Sequence, residues 1–206
     1  MKVNKLIDYL DELFPNPKCE LNYNSDYELL IAVMLSAQTT DKRVNGVTEI
    51  LFNKYDSLKK LSEANIDDLK VIIRSLGSYN KKAANVKQIA LKLLEKGCFP
   101  NDREFLESMP GVGRKTTNVV LNNIFHENYF AVDTHVQRVS IRLGIASEKD
   151  NVLEIENKLI EYFKDYNINK ISDQLVLYGR YHCMAKKPNC ENCKIKDICE
   201  YEKKND

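Results

Sequence analysis

The chain contains no tryptophan, and nowhere does it show the sustained apolar–polar alternation of a half-buried strand. A β-sheet is therefore excluded as its organising element. An excess of charge of either sign is also missing: 31 Lys and Arg stand against 30 Asp and Glu, a net charge of +1. That balance excludes a protein that holds nucleic acid through bulk basicity. Such a partner would have to be met by local positive charge or by backbone N–H groups. The longest apolar stretch, Leu29 to Leu35, falls far short of the roughly 20 residues of a membrane span. Near the N-terminus, Leu6, Ile7, Leu10, Leu13 and Phe14 have helical spacing, and the acids Asp8, Asp11 and Glu12 interrupt any signal-peptide core. No membrane partner and a cytoplasmic location are expected. Disulfides are uncommon there, so the six cysteines call for another role. Repeats and low-complexity tracts are absent too. With 206 residues, 43% of them hydrophobic, the chain has material for one or two packed domains.

What is present reads as an all-α chain of roughly ten short helices. Ser25 and Glu28 have capping-box spacing ahead of Leu29–Leu35, which is apolar on every side and so belongs inside a core. That helix runs out into Ser36-Ala37-Gln38-Thr39-Thr40-Asp41, either the wall of a site or an ordinary capped loop. Helices are expected over 41–55, over 62–76 with Gly77 as the stop, and over 81–96. Lys81, Lys82 and Lys87 crowd the start of the last of these, where acids are preferred; they are solvated surface or phosphate contacts. Helices over 151–163 and 172–181 follow later.

The central stretch is Met109-Pro110-Gly111-Val112-Gly113-Arg114-Lys115. Pro110 and the two glycines make a tight turn that feeds into a helix over 115–125, presenting unmatched backbone N–H groups as an anion site. Lys115 lies at the positive end of that helix dipole, a place that favours a neutral amine. Further on, Thr134 and Gln137 have capping-box spacing, and Asp133 precedes them as a second cap or as a functional carboxylate. The tail carries Cys183, Cys190, Cys193 and Cys199 in a C-x6-C-x2-C-x5-C pattern. Four thiols so close in a cytosolic chain indicate a metal centre, zinc or iron–sulfur. Cys19 and Cys98 lie far away. Lys186 and Lys187 fall inside the first cysteine interval, where a metal-pinned loop could present them to phosphate.

Four blocks together resemble the helix-hairpin-helix (HhH-GPD) DNA glycosylases. They are Leu35 to Asp41, Leu106 to Leu121, Ala131 to Val139 and the cysteine tail, and the likeness runs essentially end to end. The resemblance implies two helical domains with a DNA-binding cleft between them. One is a six-helix barrel over 20–128 containing the hairpin at about 101–125. The other is a discontinuous domain, 1–19 plus 129–206, carrying one 4Fe-4S cluster on Cys183, Cys190, Cys193 and Cys199. It implies Lys115 and Asp133 as catalytic residues on opposite walls, in a bifunctional glycosylase and abasic-site lyase. DNA contacts are implied at Gln38, Thr39, Asp41, Leu76, Gly77, Tyr79, Lys81, Gly111, Gly113, Arg114, His135, Lys186 and Lys187. Gln38 would fill the gap left by a flipped nucleotide, and the Leu76-Gly77 loop would wedge the opposite strand. The implied partner is double-stranded DNA bearing damaged pyrimidines or abasic sites, met by a monomer associated with a bacterial nucleoid. Adenine-specific relatives carry a catalytic Glu where this chain has Ala32, and mismatch thymine glycosylases generally replace the Lys at 115. The oxidised-pyrimidine branch remains. The rival readings are a mismatch thymine glycosylase, a non-catalytic hairpin module and a zinc adaptor.

Overall fold

The computed structural model describes residues 2–201. Among them are eleven α-helices and no strand: α1 (Lys2–Leu13), α2 (Asp26–Leu35), α3 (Asp41–Lys54), α4 (Leu58–Glu63), α5 (Ile66–Ile72), α6 (Tyr79–Lys96), α7 (Arg103–Glu107), α8 (Arg114–Phe125), α9 (Thr134–Arg142), α10 (Val152–Tyr162) and α11 (Ile168–Tyr181). The chain divides into two compact units: Cys19–Phe125, and the remainder up to Lys18 and from His126 onward.

In the first unit α2 is central. Every residue from Glu28 to Leu35 is buried, as its all-round apolar sequence requires, and α3, α6 and α8 pack around it. Its entry departs from the expected capping box. Ser25 is the N-cap, yet its side chain makes no cap bond. The Glu28 carboxylate accepts from the Asn24 N–H at 2.7 Å instead. The single helix expected over 62–76 is two helices. It breaks because Asn65 caps a new helix, its side chain accepting from the Asp67 and Asp68 N–H groups. Two of the three clustered lysines are neither solvated surface nor free for phosphate. Lys82 is 6% exposed and donates to the Leu35 and Ala37 carbonyls at 2.9 and 2.8 Å, and Lys87 donates to the Ala64 carbonyl at 2.9 Å. Each lysine satisfies carbonyls that a helix end leaves without partners.

The second unit encloses one apolar cluster. Leu6 and Leu10 of α1 meet Phe130, Val136 and Val139 of the α9 segment, Ile155 and Leu159 of α10, and Ile171, Leu175 and Tyr178 of α11. Gly179 allows α9 and α11 close approach: a Cβ there would stand 2.8 Å from the His135 Cβ. Asp173, on α11, is largely buried and has no ion-pair partner among the described residues. Lys170, one turn earlier, is committed to Asp11 at 2.6 Å. Burial pushes the Asp173 carboxyl up to about 6. A carboxyl raised in the folded state favours folding below the ordinary carboxylate range, and that contribution is lost as pH rises through 6. Asp173→Asn is therefore expected to stabilise the protein by up to about 3 kcal/mol above pH 7. Thermal melts at pH 8 and pH 4 check this: the gain should be large at pH 8 and nearly vanish at pH 4.

Candidate functional site

The hairpin is α7, the turn 108–113 and α8. Asp102 caps α7 by accepting from the Phe105 N–H at 3.0 Å, and Arg103 reaches Asn118 of α8 at 2.7 Å, tying the two helices together. Met109 and Val112 are buried at 2% and 5%, so the turn is anchored from below while Gly111 and Gly113 stay exposed. The glycines do different work. Gly111 takes φ +81, and a Cβ on it would fall 2.4 Å from the Asn85 Nδ2. Gly113 needs no left-handed backbone and has nothing within 4 Å of where a Cβ would stand. The expectation that both glycines are demanded by the turn therefore holds for Gly111 only; the bare side of Gly113 is open ground beside the helix N-terminus. The first α8 bond runs from the Thr117 N–H to the Gly113 carbonyl at 3.0 Å, so the preceding N–H groups are those a helix cannot match internally. Lys115 is half-buried in that first turn, next to Arg114 and ahead of the buried Thr116, Thr117 and Asn118.

Two loops of the same unit carry strained backbone. Gln38, exposed just after α2, has φ 57, and Ser78, exposed at the head of α6, has φ 56. Left-handed conformations are unfavourable for residues with a Cβ and cluster at functional positions. Thr39 and Asp41 are half-buried beside Gln38, and Tyr79 is half-buried beside Ser78; Gly77 and Lys81 are exposed. Leu76 does not suit its expected place. It is 1% exposed and belongs to the core, so the loop offers Gly77 and Ser78 at its tip. Ser78 was missed; its signal in the sequence is a cap-type residue directly after Gly77.

In the second unit, Asp133 and not Thr134 is the N-cap of α9. The Asp133 Oδ1 accepts from the His135 and Val136 N–H groups at 2.8 and 2.9 Å, which fixes the carboxylate at the helix mouth. His135, half-buried, packs on Gly179 and lies 3.4 Å from the Arg138 guanidinium through its Nδ1. Arg138 also donates to the Gly179 and Cys183 carbonyls, the former at 2.5 Å. Arg142, one turn on, donates to the Met184 and Ala185 carbonyls at 2.8 and 3.3 Å. These two arginines hold the loop that carries Lys186 and Lys187, both exposed, with Lys187 at φ 53. The sequence reading passed over both, although their i, i+4 spacing on α9 marks a shared basic face.

Cys183, Cys190, Cys193 and Cys199 line one cavity, together with Arg142, Tyr178 and His182. Arg142 donates to the Cys183 sulfur at 3.2 Å, the Tyr178 hydroxyl lies 3.3 Å from the Cys193 sulfur, and the Cys199 thiol faces the Arg142 carbonyl at 3.2 Å. Burial pushes the Cys183 thiol up, and the Arg142 guanidinium opposes that push. Among the described residues no three Cys, His, Asp or Glu side chains are gathered as ligands of a single metal ion. The four thiols instead ring a space. Cys19 and Cys98 lie elsewhere and carry no disulfide. No helix among the described residues is long and apolar enough to cross a membrane.

The family model for the HhH-GPD superfamily base excision DNA repair protein matches residues 31–165. Endonuclease III of Haemophilus influenzae is 45% identical over 202 residues, covering 97% of this chain and 95% of that protein. Endonuclease III of Escherichia coli K12 is 43% identical over 204 residues, covering 98% and 96%. The structure of a trapped endonuclease III–DNA covalent intermediate superposes with a TM-score of 0.91 at 40% identity, over 100% of this chain and 98% of that one. The chain belongs to the endonuclease III family of the HhH-GPD superfamily. A thermostable thymine-DNA glycosylase, with a TM-score of 0.84 at 20% identity, shares the fold.

Proposed function

We propose that this chain is a bifunctional DNA glycosylase and abasic-site lyase of base excision repair that removes oxidised pyrimidines from duplex DNA. The observation that carries this reading is Lys115, a primary amine in the first turn of α8 beside the anion-binding turn, in a chain 40% identical to a protein trapped as a covalent DNA intermediate. The damaged nucleotide leaves the stack, since its sugar carbon is otherwise out of reach. The N–H groups of Gly111, Gly113 and the α8 mouth hold a backbone phosphate. The Lys115 Nζ attacks C1′, and the C1′–base bond breaks with its electron pair leaving on the base. Asp133 accepts the proton released by the amine and offsets positive charge on the sugar. The nitrogen lone pair then expels O4′ from C1′, which takes up a proton as the sugar ring opens, and the resulting imine acidifies the C2′ proton, whose loss expels the 3′ phosphate by β-elimination. Gln38 occupies the gap in the duplex, and Gly77 and Ser78 meet the opposite strand. Thr39, Asp41, Tyr79, Lys81, Arg114, His135, Lys186 and Lys187 complete the DNA contacts of a monomer working in the cytosol. The mismatch thymine glycosylase reading has only a shared fold in its favour.

Borohydride reduction in the presence of DNA bearing an oxidised pyrimidine or an abasic site tests the reading. A stable protein–DNA adduct is expected; a folded, DNA-bound protein that gives none sinks the amine mechanism.

For the cysteine ring, a 4Fe-4S cluster is the group that fits best. The four thiols line a single cavity and are the all-cysteine donor set that such a cluster takes, as the likeness to the family implies. Cys183, Cys190, Cys193 and Cys199 would hold it, with the Arg142 and Tyr178 donors steadying the sulfurs. When bound, it supplies a cross-link that fixes the Lys186–Lys187 loop. Purified protein is expected to be brown with about four iron atoms per chain. Colourless protein with one zinc per chain overturns the assignment.

A further inference from the structure

Lys82 is the charged side chain whose placement has the most consequence outside the reacting groups. It is 6% exposed, in the first turn of α6. Its Nζ donates to the Leu35 carbonyl at 2.9 Å, in the last turn of α2, and to the Ala37 carbonyl at 2.8 Å. The very next residue is Gln38, held at φ 57. The Lys82 backbone N–H makes the first helical bond of α6, to the carbonyl of Ser78 at 3.0 Å, and Ser78 is the other non-glycine residue of this unit held in the left-handed region. The Lys82 side chain thus ties the first turn of α6, which begins directly after the Ser78 tip, to the end of α2 that carries the Gln38 turn. Desolvation of an ammonium is expensive, and burial pulls the Lys82 ionisation below its usual range. A hydrophobic residue would fill this place at lower cost, but it would leave the Leu35 and Ala37 carbonyls without a donor. Lys87, five residues on, donates only to the Ala64 carbonyl at the end of α4 and touches neither tip.

We propose that Lys82 is a positioning residue for base excision: it sets the Gln38 turn against the Gly77–Ser78 tip so that both enter the duplex in register. The proposal rests on the reading of Gln38 as the gap-filling residue. Its effect is exerted through Gln38 and not through Lys115, since the Lys82 Nζ binds carbonyls on either side of Ser36 and none in the hairpin.

A double-mutant cycle tests it, read as the single-turnover rate of base release from duplex DNA carrying an oxidised pyrimidine. Lys82→Met and Gln38→Ala should each slow release by about ten-fold, and the double variant should be no slower than either, as expected for residues acting as one unit. Lys87→Met is the control: it should lower the melting temperature and leave the rate within about two-fold. If the Lys82 and Gln38 effects multiply, or if Lys82→Met matches the wild-type rate, the proposal is overturned while the Gln38 reading stands. If Gln38→Ala alone leaves the rate unchanged, the gap-filling reading fails and this proposal with it. Should Lys82→Met not fold, Lys82→Arg in the same cycle serves, because its longer, planar head keeps the charge but displaces the carbonyls it must grip. An Arg variant that slows release and is again non-additive with Gln38→Ala supports the proposal; additivity overturns it.

Discussion

Lys115→Gln is expected to abolish borohydride trapping and to reduce base release and strand cleavage by a factor on the order of 10⁴ or more, the scale seen when a covalent nucleophile is removed. The reason is electronic. An amide nitrogen has its lone pair drawn into the carbonyl and cannot form an imine with C1′. The shape of the site changes little. Gln is close to Lys in helix propensity, so the first turn of α8 should survive with a stability change well under about 1 kcal/mol. On the proposed reading, phosphate is gripped by backbone N–H groups around Gly111 and Gly113, and the turn is anchored by the buried Met109 and Val112, so DNA binding should persist. Electrophoretic mobility shift on abasic-analogue DNA, run beside the trapping assay, separates the two effects. Retained cleavage in Lys115→Gln would point to a different amine; Lys81, exposed on the same unit, is the first to examine.

Much of the fold was legible because the relevant physics is local. Leu29 to Leu35 is apolar on all sides, and a helix of that kind has nowhere to lie except inside, where α2 is found. Gly111 announces its turn because no residue with a Cβ takes φ +81 easily. The four cysteines announce themselves by spacing and converge on one cavity. What escaped is set by partners distant in sequence or by competition between neighbours. Nothing near Lys82 says that its ammonium ends under α2, with carbonyl partners 47 and 45 residues away. A lysine cluster at a helix start therefore reads as surface, and two of the three prove to be struts. The family resemblance implies a DNA contact at Leu76, yet its side chain obeys the hydrophobic effect and turns inward. Arg138 and Arg142 looked like ordinary basic residues because the carbonyls they hold lie some 40 residues further along the chain. At Asp133 and Thr134, two good caps stood side by side. Asp133 prevailed because its Oδ1 reaches two N–H groups at once.

That shared cap makes Asp133 the position where structure and chemistry must be separated, and two substitutions do so. Asp133→Asn keeps an oxygen acceptor at the same place, and Asn is as good an N-cap as Asp, so α9 should remain capped and the melting temperature nearly unchanged. The charge is gone, however, and with it a group able to take the proton released by Lys115 and to offset positive charge on the sugar. Base release by Asp133→Asn should fall about 10² to 10⁴-fold, the range for losing a positioned general base. Asp133→Ala removes both functions: the same loss of rate, plus about 1 kcal/mol of stability from the uncapped His135 and Val136 N–H groups. Differential scanning calorimetry and single-turnover rates on the pair give a two-by-two outcome. A catalytic carboxylate predicts a slow, stable Asn variant and a slow, destabilised Ala variant. A residue that only caps predicts an Asn variant as fast as the wild type, because the cap oxygen is still there. The pair distinguishes these outcomes because the Oδ1 is committed to the backbone, which leaves the charge as the property that the Asn substitution removes.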